Sequence, residues 1–169
     1  MKKNKTALPW VMLSVFIIAL DQWSKYVVVT HLTEASVVRV LPFLNFILSF
    51  NAGSAFGFLN DQPGWQIYFL SIISVAVSLI LVVWLFRIAR SAWLLALPIS
   101  LVLGGALGNL IDRIRFGYVI DFIDFHVKNW HYATFNVADS FVCVGAVCLI
   151  LQLLHESFSK NMHNKSQKT

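Results

Sequence analysis

The sequence predicts an integral membrane protein, a bundle of four transmembrane helices with a small β-sheet on its outer side. Three observations support this fold class. The 169-residue chain is 58% hydrophobic and only 12% charged, with a mean hydropathy of +0.72, which is outside the usual range of soluble domains. Four apolar runs each approach the roughly 20 residues that a helix needs to cross a bilayer. Two regions between them mix polar with β-favouring residues.

The apolar runs predict a single integral membrane domain. The first run follows three lysines, as in a signal peptide, but no small-residue cleavage site comes after it, so an uncleaved helix is expected. The transmembrane spans are expected at about 7–29, 66–86, 92–111 and 136–154. The outward regions are then 30–65 and 112–135, and a polar tail occupies 155–169.

The distribution of basic residues predicts the orientation in the membrane. Eight of the 13 Lys and Arg residues lie in the N-terminal segment, the 87–90 turn and the C-terminal tail. The positive-inside rule puts these three segments, and therefore both termini, in the cytoplasm. Any chemistry is then expected near the outer face of the membrane. Because the basic residues do not cluster into a stripe, no nucleic-acid partner is expected.

The first outward region has the pattern of a β-sheet. Residues 44–51 alternate between apolar side chains and a polar set formed by Asn45, Ser49 and Asn51. This period of two predicts a strand with one polar and one Phe-rich face, and 37–41 predicts a second strand. Such a sheet, tethered between two spans, is expected to lie on the bilayer surface. A plain hairpin linker is the alternative.

Polar side chains concentrate where the last two spans meet the second outward region. Charged groups at such positions are costly in a membrane, and by default they are candidates for function. The acids and amides concerned are Asn109, Asp112, Asp121, Asn136 and Asp139. The spacing of Asn136 and Asp139 also fits a helix capping box, which requires no catalytic role.

The third span carries a face of small and polar residues. Gly105, Gly108, Asn109 and Asp112 share one side of the predicted helix through three- and four-residue steps. Gly104 and Gly108 form a small-xxx-small pair that permits close helix approach. Helix packing alone explains the glycines, but it does not require the polar groups.

Two of the acids suggest a reaction type. If Asp121 and Asp139 meet away from water, both cannot easily ionise and they share a proton. One then activates water while the other hydrogen-bonds a carbonyl, as in aspartic proteases. Apolar neighbours favour a protonated Asp121, and the helix start favours an ionised Asp139. Residues 118–125 form a β-like segment, and if it is extended, Asp121 and Asp124 face opposite ways. Spacing alone does not show that Asp121 and Asp139 meet.

Other chemistries have less support. His126 and His131 lack the spacing of a zinc motif, and no metal is expected. Cys143 and Cys148 are expected to be unbridged, buried small residues. A proton-coupled or ion transporter would need polar groups across the membrane midplane. A non-catalytic assembly subunit would not need acids on two separate outer segments.

Five ordered motifs resemble the lipoprotein signal peptidase (signal peptidase II) family: DQWSK at 21–25, NAGSAFGF at 51–58, GGALGNLIDR at 104–113, VIDF at 119–122 and FNVADS at 135–140. The resemblance covers nearly the whole chain. It implies an intramembrane aspartic endopeptidase of the bacterial inner membrane without metal or cofactor. The implied substrate is a prolipoprotein, cut just before a diacylglyceryl-modified cysteine and surrounded by membrane lipid. A monomer is expected.

The resemblance also implies roles for individual residues. The catalytic pair of the family corresponds to Asp121 and Asp139, and Asp124 lies outside that pattern. The supporting or substrate-binding positions correspond to Asp21, Lys25, Asn51, Gly53, Gly108, Asn109, Asp112, Arg113, Asn136 and Ala138.

Overall fold

The computed structural model describes residues 6–53, 59 and 62–166, with the backbone alone for 160–166. Its four long helices are α1 Val11–His31, α2 Trp65–Arg87, α3 Trp93–Phe116 and α4 Val137–Ser166, and a short 3-10 turn, Leu8–Trp10, precedes α1. Four stretches are long and apolar enough to span a bilayer, namely Leu8–His31, Trp65–Arg87, Trp93–Phe116 and Val137–Ser159. The predicted class, four long apolar helices with a small sheet, is confirmed.

Two helices extend beyond the stretches expected from the sequence. α3 continues past the expected end of the third span at residue 111, through Asp112 and Arg113 to Phe116. It ends at Gly117, whose φ of 78° lies in the left-handed region that glycine adopts without steric cost. α4 continues to Ser166 through the expected polar tail. How much of each helix lies in the membrane stays a prediction.

A four-stranded antiparallel sheet connects the helices. Its strands are β1 Val37–Leu41, β2 Leu44–Asn51, β3 Val119–Val127 and β4 Trp130–His131, arranged in chain order. β1 and β2 are the two strands that the alternation predicts, and β3 contains the β-like segment around Asp121. The two-residue β4 is too short to produce a periodic signal in the sequence.

A β-bulge interrupts the pairing of β2 with β3. Phe46 lies opposite Ile123, and the next regular pair joins Ser49 to Asp121. Over this interval β2 advances three residues while β3 advances two. Because side chains alternate along a strand, one extra residue moves the rest of β2 to the opposite face.

The bulge overturns the expectation that Asn45 and Asn51 share one polar face. Asn45 Nδ2 donates a hydrogen bond to Asp124 Oδ2 at 2.9 Å. Asn51 Nδ2 instead donates to Asp121 Oδ2 at 3.0 Å. Asp121 and Asp124 are three residues apart on β3 and point to opposite faces, as the sequence predicts. The two asparagines therefore serve different sides of the sheet.

The apolar residues of β2 do not share one face, because the bulge separates Phe46 from Phe50. Leu48 is buried in a cluster with Val28 of α1 and with Ile120 and Phe122 of β3. The ring of Phe46 packs edge-on against Phe122, with 5.9 Å between ring centroids. The prediction of a single Phe-rich face is therefore wrong, and the expectation that the sheet lies on the bilayer surface stays a prediction.

A second apolar cluster lies at the opposite end of the bundle. The cluster packs α2 against α3 next to Ala7, near the start of the described chain. It therefore stabilises the end of the helix bundle that is remote from the sheet. Its buried members are Ala7, Leu81, Leu85, Ala96, Ile99 and Leu103.

The glycines of α3 allow α1 and α4 to approach closely. A Cβ atom on Gly104 would lie 2.8 Å from a side-chain carbon of α1, and one on Gly108 would lie 2.8 Å from Asp21 Oδ2. A Cβ atom on Gly105 would overlap the backbone carbonyl of Ala138 in α4. The predicted close approach at Gly104 and Gly108 is confirmed, and Gly105 extends it to α4.

We expect Gly105→Leu to destabilise the protein, because the new side chain meets α4 backbone that cannot rotate away. Overpacking of this kind costs about 1–3 kcal/mol. Thermal unfolding of the purified protein in detergent measures the loss. Ala106→Leu is the matched control, since Ala106 is the next residue of α3 and is only half-buried. Equal losses in the two variants would contradict the proposed clash with α4.

Candidate active site

A capping box holds Asp139 at the start of α4. The backbone N–H of Asn136 donates to Asp139 Oδ2 at 3.2 Å, and the N–H of Asp139 donates to Asn136 Oδ1 at 2.9 Å. Asp139 is the third residue of the helix, as the sequence spacing predicts. The reciprocal bonds fix this carboxyl group while leaving its Oδ1 atom for another partner.

Asp121 of β3 lies beside the same asparagine. Asn136 Nδ2 donates to Asp121 Oδ1 at 2.7 Å, and Asn51 Nδ2 donates to the other carboxyl oxygen at 3.0 Å. The side chain of Asn136 therefore contacts Asp121 through its nitrogen and Asp139 through its oxygen. The structure brings together two acids that lie on different elements.

Both acids line one cavity of about 460 Å³, within the size range of ligand-binding pockets. Its walls combine acids and amides with apolar and small side chains. The lining residues are Asn51, Asn109, Arg113, Val119, Asp121, Tyr132, Ala133, Thr134, Phe135, Asp139, Ser140, Val142 and Cys143.

Sequence reasoning missed part of this wall. Residues 132–134 line the cavity but belong to no motif that would mark them as part of its wall. Cys143 could have been found, because it follows Asp139 by four residues and so shares its helix face. The expectation that both cysteines are buried is wrong, since Cys143 and Cys148 are exposed.

Asp121 has an unusual protonation equilibrium. Burial raises the pKa of its carboxyl group to about 7, and the negative charge of Asp139 acts in the same direction. Hydrogen bonds from Asn51 and Asn136 favour the ionised form and partly oppose the rise. The side chain therefore keeps its proton to a higher pH than an exposed aspartic acid would.

Behind the cavity, a buried ammonium group joins two further acids. Lys25 Nζ lies 2.9 Å from Asp21 Oδ2 and 2.8 Å from Asp112 Oδ2, and the lysine side chain is only 2% exposed. The pairing of Asp21 with Lys25 follows from their i,i+4 spacing. The participation of Asp112 depends on the packing of α1 against α3.

Each of these acids also holds a backbone group. The N–H of Ala138 donates to Asp21 Oδ1 at 2.9 Å, and the N–H of Ile120 donates to Asp112 Oδ2 at 3.2 Å. Each backbone group belongs to the residue just before one of the two cavity acids. Lys25 thus links the backbone positions of both acids through two carboxylates.

Asn109 connects the lysine to the cavity. Its Oδ1 atom lies 2.9 Å from Lys25 Nζ and 3.1 Å from Asn136 Nδ2, which are both donors. The Nδ2 atom of Asn109 is therefore directed to Asp139, and it donates to Oδ1 at 2.7 Å. The orientation of this amide follows from its neighbours.

Gln22 is a further member of the network that sequence analysis did not single out. Its Nε2 atom donates to Asp112 Oδ1 at 2.8 Å and lies 3.3 Å from the carbonyl oxygen of Gly108. Its place within the DQWSK motif is the signal that could have identified it.

Arg113 ties the end of β2 to the cavity. Its Nη2 atom donates to the carbonyl oxygen of Gly53 at 3.3 Å, and the N–H of Gly53 donates to Asn51 Oδ1 at 3.0 Å. The rest of the NAGSAFGF motif, 54–58, lies outside the described residues.

The twelve residues singled out from the sequence form one connected group. Five of them line the cavity, namely Asn51, Asn109, Arg113, Asp121 and Asp139. The other seven pack behind or beside it, namely Asp21, Lys25, Gly53, Gly108, Asp112, Asn136 and Ala138. The resemblance therefore selects positions that the fold brings together.

Asp124 lies away from this group. It accepts hydrogen bonds from Asn45 Nδ2 at 2.9 Å and from His131 Nδ1 at 2.8 Å, and it does not line the cavity. Within the described part of the chain, no three His, Cys, Asp or Glu side chains are placed to hold a metal ion.

Comparisons with known proteins agree on one family. The family model for signal peptidase (SPase) II matches residues 13–155. A lipoprotein signal peptidase of Coxiella burnetii is 54% identical over 159 residues, covering 94% of this chain and 98% of the relative. One from Acinetobacter baumannii is 49% identical over 142 residues, covering 84% of this chain and 81% of the relative.

A solved structure shows the same fold. It is described as a bacterial membrane enzyme determined by the in meso method. It superposes with a TM-score of 0.83 at 32% identity, covering 95% of this chain and 96% of the other. With the family model matching most of the sequence, this chain belongs to the signal peptidase II family.

Proposed function

We propose that this protein is an aspartic endopeptidase that removes the signal peptide from diacylglyceryl-modified prolipoproteins, cutting before the lipidated cysteine. Its family and its four apolar helices make it a multi-pass protein of the bacterial inner membrane. One observation carries the proposal: the carboxyl groups of Asp121 and Asp139 both accept hydrogen bonds from Asn136, from its side chain and its backbone respectively, and both acids line one cavity. One chain supplies both acids, so a monomer suffices.

The two acids have different roles in this proposal. Asp139 is the general base that takes a proton from the attacking water. Asp121 enters protonated and donates its proton to the carbonyl oxygen of the scissile bond as the tetrahedral intermediate forms. The intermediate then collapses, its O–H proton returns to Asp121, and the amine of the cysteine leaves with the proton held by Asp139. No step requires a metal or a cofactor.

The lipid of the substrate has a positioning role. Each methylene buried in the bilayer contributes about 0.8 kcal/mol, so two acyl chains hold the modified cysteine at the membrane surface. The neighbouring peptide bond is then kept at one depth, which lowers the entropic barrier to attack. Small side chains in the cavity wall, such as Ala133 and Ser140, leave room for an extended peptide.

We expect Asp121→Asn and Asp139→Asn each to abolish cleavage, because Asn keeps the shape of the side chain but cannot transfer the proton. Acid–base catalysis contributes about 10²–10⁴-fold to rates. Each variant should therefore cleave the precursor at least about 100-fold more slowly than the wild-type protein. Purified protein in vesicles is given a precursor with a diacylglyceryl-modified cysteine, and release of the signal peptide is measured by mass spectrometry.

Asp124→Asn is the matched control for this experiment, since Asp124 lies on the same strand but outside the cavity. It should retain most of the activity. An inactive Asp124→Asn beside an active Asp121→Asn would show that the wrong carboxyl group has been chosen. A precursor with an unmodified cysteine should be cut poorly. Equal rates for the two precursors would remove the lipid from the mechanism.

Cleavage should decline as pH rises through about 7, because the proposed active form has Asp121 protonated and its pKa is raised to about 7. The hydrogen bond from Asn51 stabilises the ionised form, so Asn51→Ala should raise the pKa further and move the alkaline limb to higher pH. The pH profile of kcat/KM measures both effects. Asn45→Ala, which removes the equivalent bond to Asp124, should leave the limb in place. A limb that moves to lower pH in Asn51→Ala would contradict this role of Asp121.

The proposed orientation has both termini in the cytoplasm and the cavity near the outer face, as the basic residues indicate. Single cysteines introduced by Lys128→Cys and Lys165→Cys, in a protein with Cys143 and Cys148 replaced by Ser, should react with a membrane-impermeant reagent from opposite sides. Labelling of both positions from the same side of intact cells or inverted vesicles would contradict the topology.

A further inference from the structure

A second cavity lies on the face of the sheet opposite the candidate active site. It has a volume of about 380 Å³, and strands β1 to β4 and the connecting turns all contribute to its lining. The lining residues are Val37, Arg39, Leu41, Pro42, Asn45, His126, Lys128 and His131. None of them belongs to the group around Asp121 and Asp139.

The lining of this cavity is rich in groups that carry a positive charge or can accept a proton. Arg39, Lys128 and the two imidazoles of His126 and His131 come from three different strands and the β3–β4 turn. Neither Arg39 nor Lys128 forms an ion pair with another described residue. Two full positive charges therefore face this region without a partner from the described chain.

The nearby acid forms no ion pair with either of these cations. Burial of Asp124 acts to raise its pKa, but the hydrogen bonds from His131 and Asn45 outweigh this and hold the pKa below the usual range. Asp124 is therefore a carboxylate that is already engaged by both neighbours. Since a carboxylate only accepts hydrogen bonds, the Nδ1 atom of His131 carries a proton.

His126 has an unsatisfied polar atom at this cavity. Its ring stacks on that of His131, with 5.1 Å between centroids and 25° between planes. Its Nδ1 atom is buried and has no hydrogen-bond partner among the described residues. A buried polar group left in this state is costly. The rest of this half-buried side chain lines the cavity, where a bound anion would contact it.

The β3–β4 turn holds Lys128 in a conformation that lysine rarely adopts. Its φ of 54° is in the left-handed region, where residues with a side chain are uncommon. Such conformations cluster at functional sites because the surrounding structure must maintain them. Here the turn keeps a cationic residue at the edge of the cavity.

The connections of the sheet keep it close to the ends of the helices. Three of the segments that link the sheet to the helices are short, namely 32–36, 117–118 and 132–136, and five residues reach at most about 18 Å when fully extended. Exposed apolar side chains surround this end of the sheet, including Phe43, Val127 and Trp130. Exposed aromatic residues next to the ends of apolar helices are typical of the membrane–water interface.

We propose that this cavity binds the phosphodiester headgroup of an anionic phospholipid, which the orientation above makes a lipid of the outer leaflet. The charges of Arg39 and Lys128 match the phosphate, and His126 supplies a further hydrogen bond. The apolar walls formed by Val37 and Leu41 accommodate the glycerol end of the lipid. Binding here anchors the sheet to the bilayer from the face that the candidate active site does not use.

Hydrogen exchange in nanodiscs tests this proposal. The protein is placed in phosphatidylcholine nanodiscs with increasing fractions of phosphatidylglycerol, and exchange of the backbone amides of 126–131 is followed by mass spectrometry. Exchange should slow as the anionic lipid increases. The double variant Arg39→Gln with Lys128→Gln loses two cations of roughly 1 kcal/mol each, or about 30-fold in affinity, so this protection should disappear.

Two matched variants separate this site from general electrostatics and from misfolding. Arg87→Gln with Arg90→Gln removes the same charge at the opposite end of the bundle, and it should retain the protection of 126–131. Arg39→Lys with Lys128→Arg keeps both cations and should also retain it. All three double variants should unfold at the wild-type temperature, since the four residues changed are exposed.

Three results would overturn the proposal. The first is protection of 126–131 that does not depend on phosphatidylglycerol. The second is protection that persists in Arg39→Gln with Lys128→Gln. The third is equal protection by inorganic phosphate in pure phosphatidylcholine nanodiscs, which would assign the cavity to a free anion. The measurement does not depend on cleavage, so its outcome is independent of the proposed peptidase function.

Discussion

The buried ammonium group of Lys25 is the interaction on which the geometry of the candidate active site depends. Asp21 and Asp112 are almost fully buried, and burying such acids without a counter-charge would be costly. Once paired with the lysine, they accept backbone hydrogen bonds from Ala138 and Ile120. A single charged cluster therefore ties α1, α3, β3 and α4 together directly behind the two acids of the cavity. Loss of the lysine would leave two buried carboxylates repelling each other.

Two asparagines convert this cluster into an asymmetric environment. An amide has a donor end and an acceptor end, so its neighbours determine which end faces an acid. Asn109 turns its oxygen to Lys25 and its nitrogen to Asp139. Asn136 turns its nitrogen to Asp121 and accepts the backbone N–H of Asp139. Asp139 is thus held by a helix start and Asp121 by a buried strand, and such a difference in surroundings is what separates an acid from a base.

The β-bulge in β2 gives the small sheet two separate functional faces. Before the bulge, Asn45 contacts Asp124 on the side of the basic cavity; after it, Asn51 contacts Asp121 on the side of the candidate active site. Without the extra residue, both asparagines would point the same way. The sheet can therefore carry an anion-binding surface on one side while it supplies one of the two acids on the other.

Local patterns in the sequence were enough to predict the parts of this protein: four apolar helices, the first two strands, the capping box of Asn136 with Asp139, and the family to which its motifs belong. These features depend on hydropathy, alternation and short spacings, which are local properties of the chain. The tertiary structure decided which parts meet. Asp112 joins Lys25 across 87 positions, and Asp21 holds the N–H of Ala138 across 117. No local pattern encodes such contacts, because they arise only when helices and strands pack. The same holds for the bulge that turns the side chains of the second half of β2 to the opposite face of the sheet.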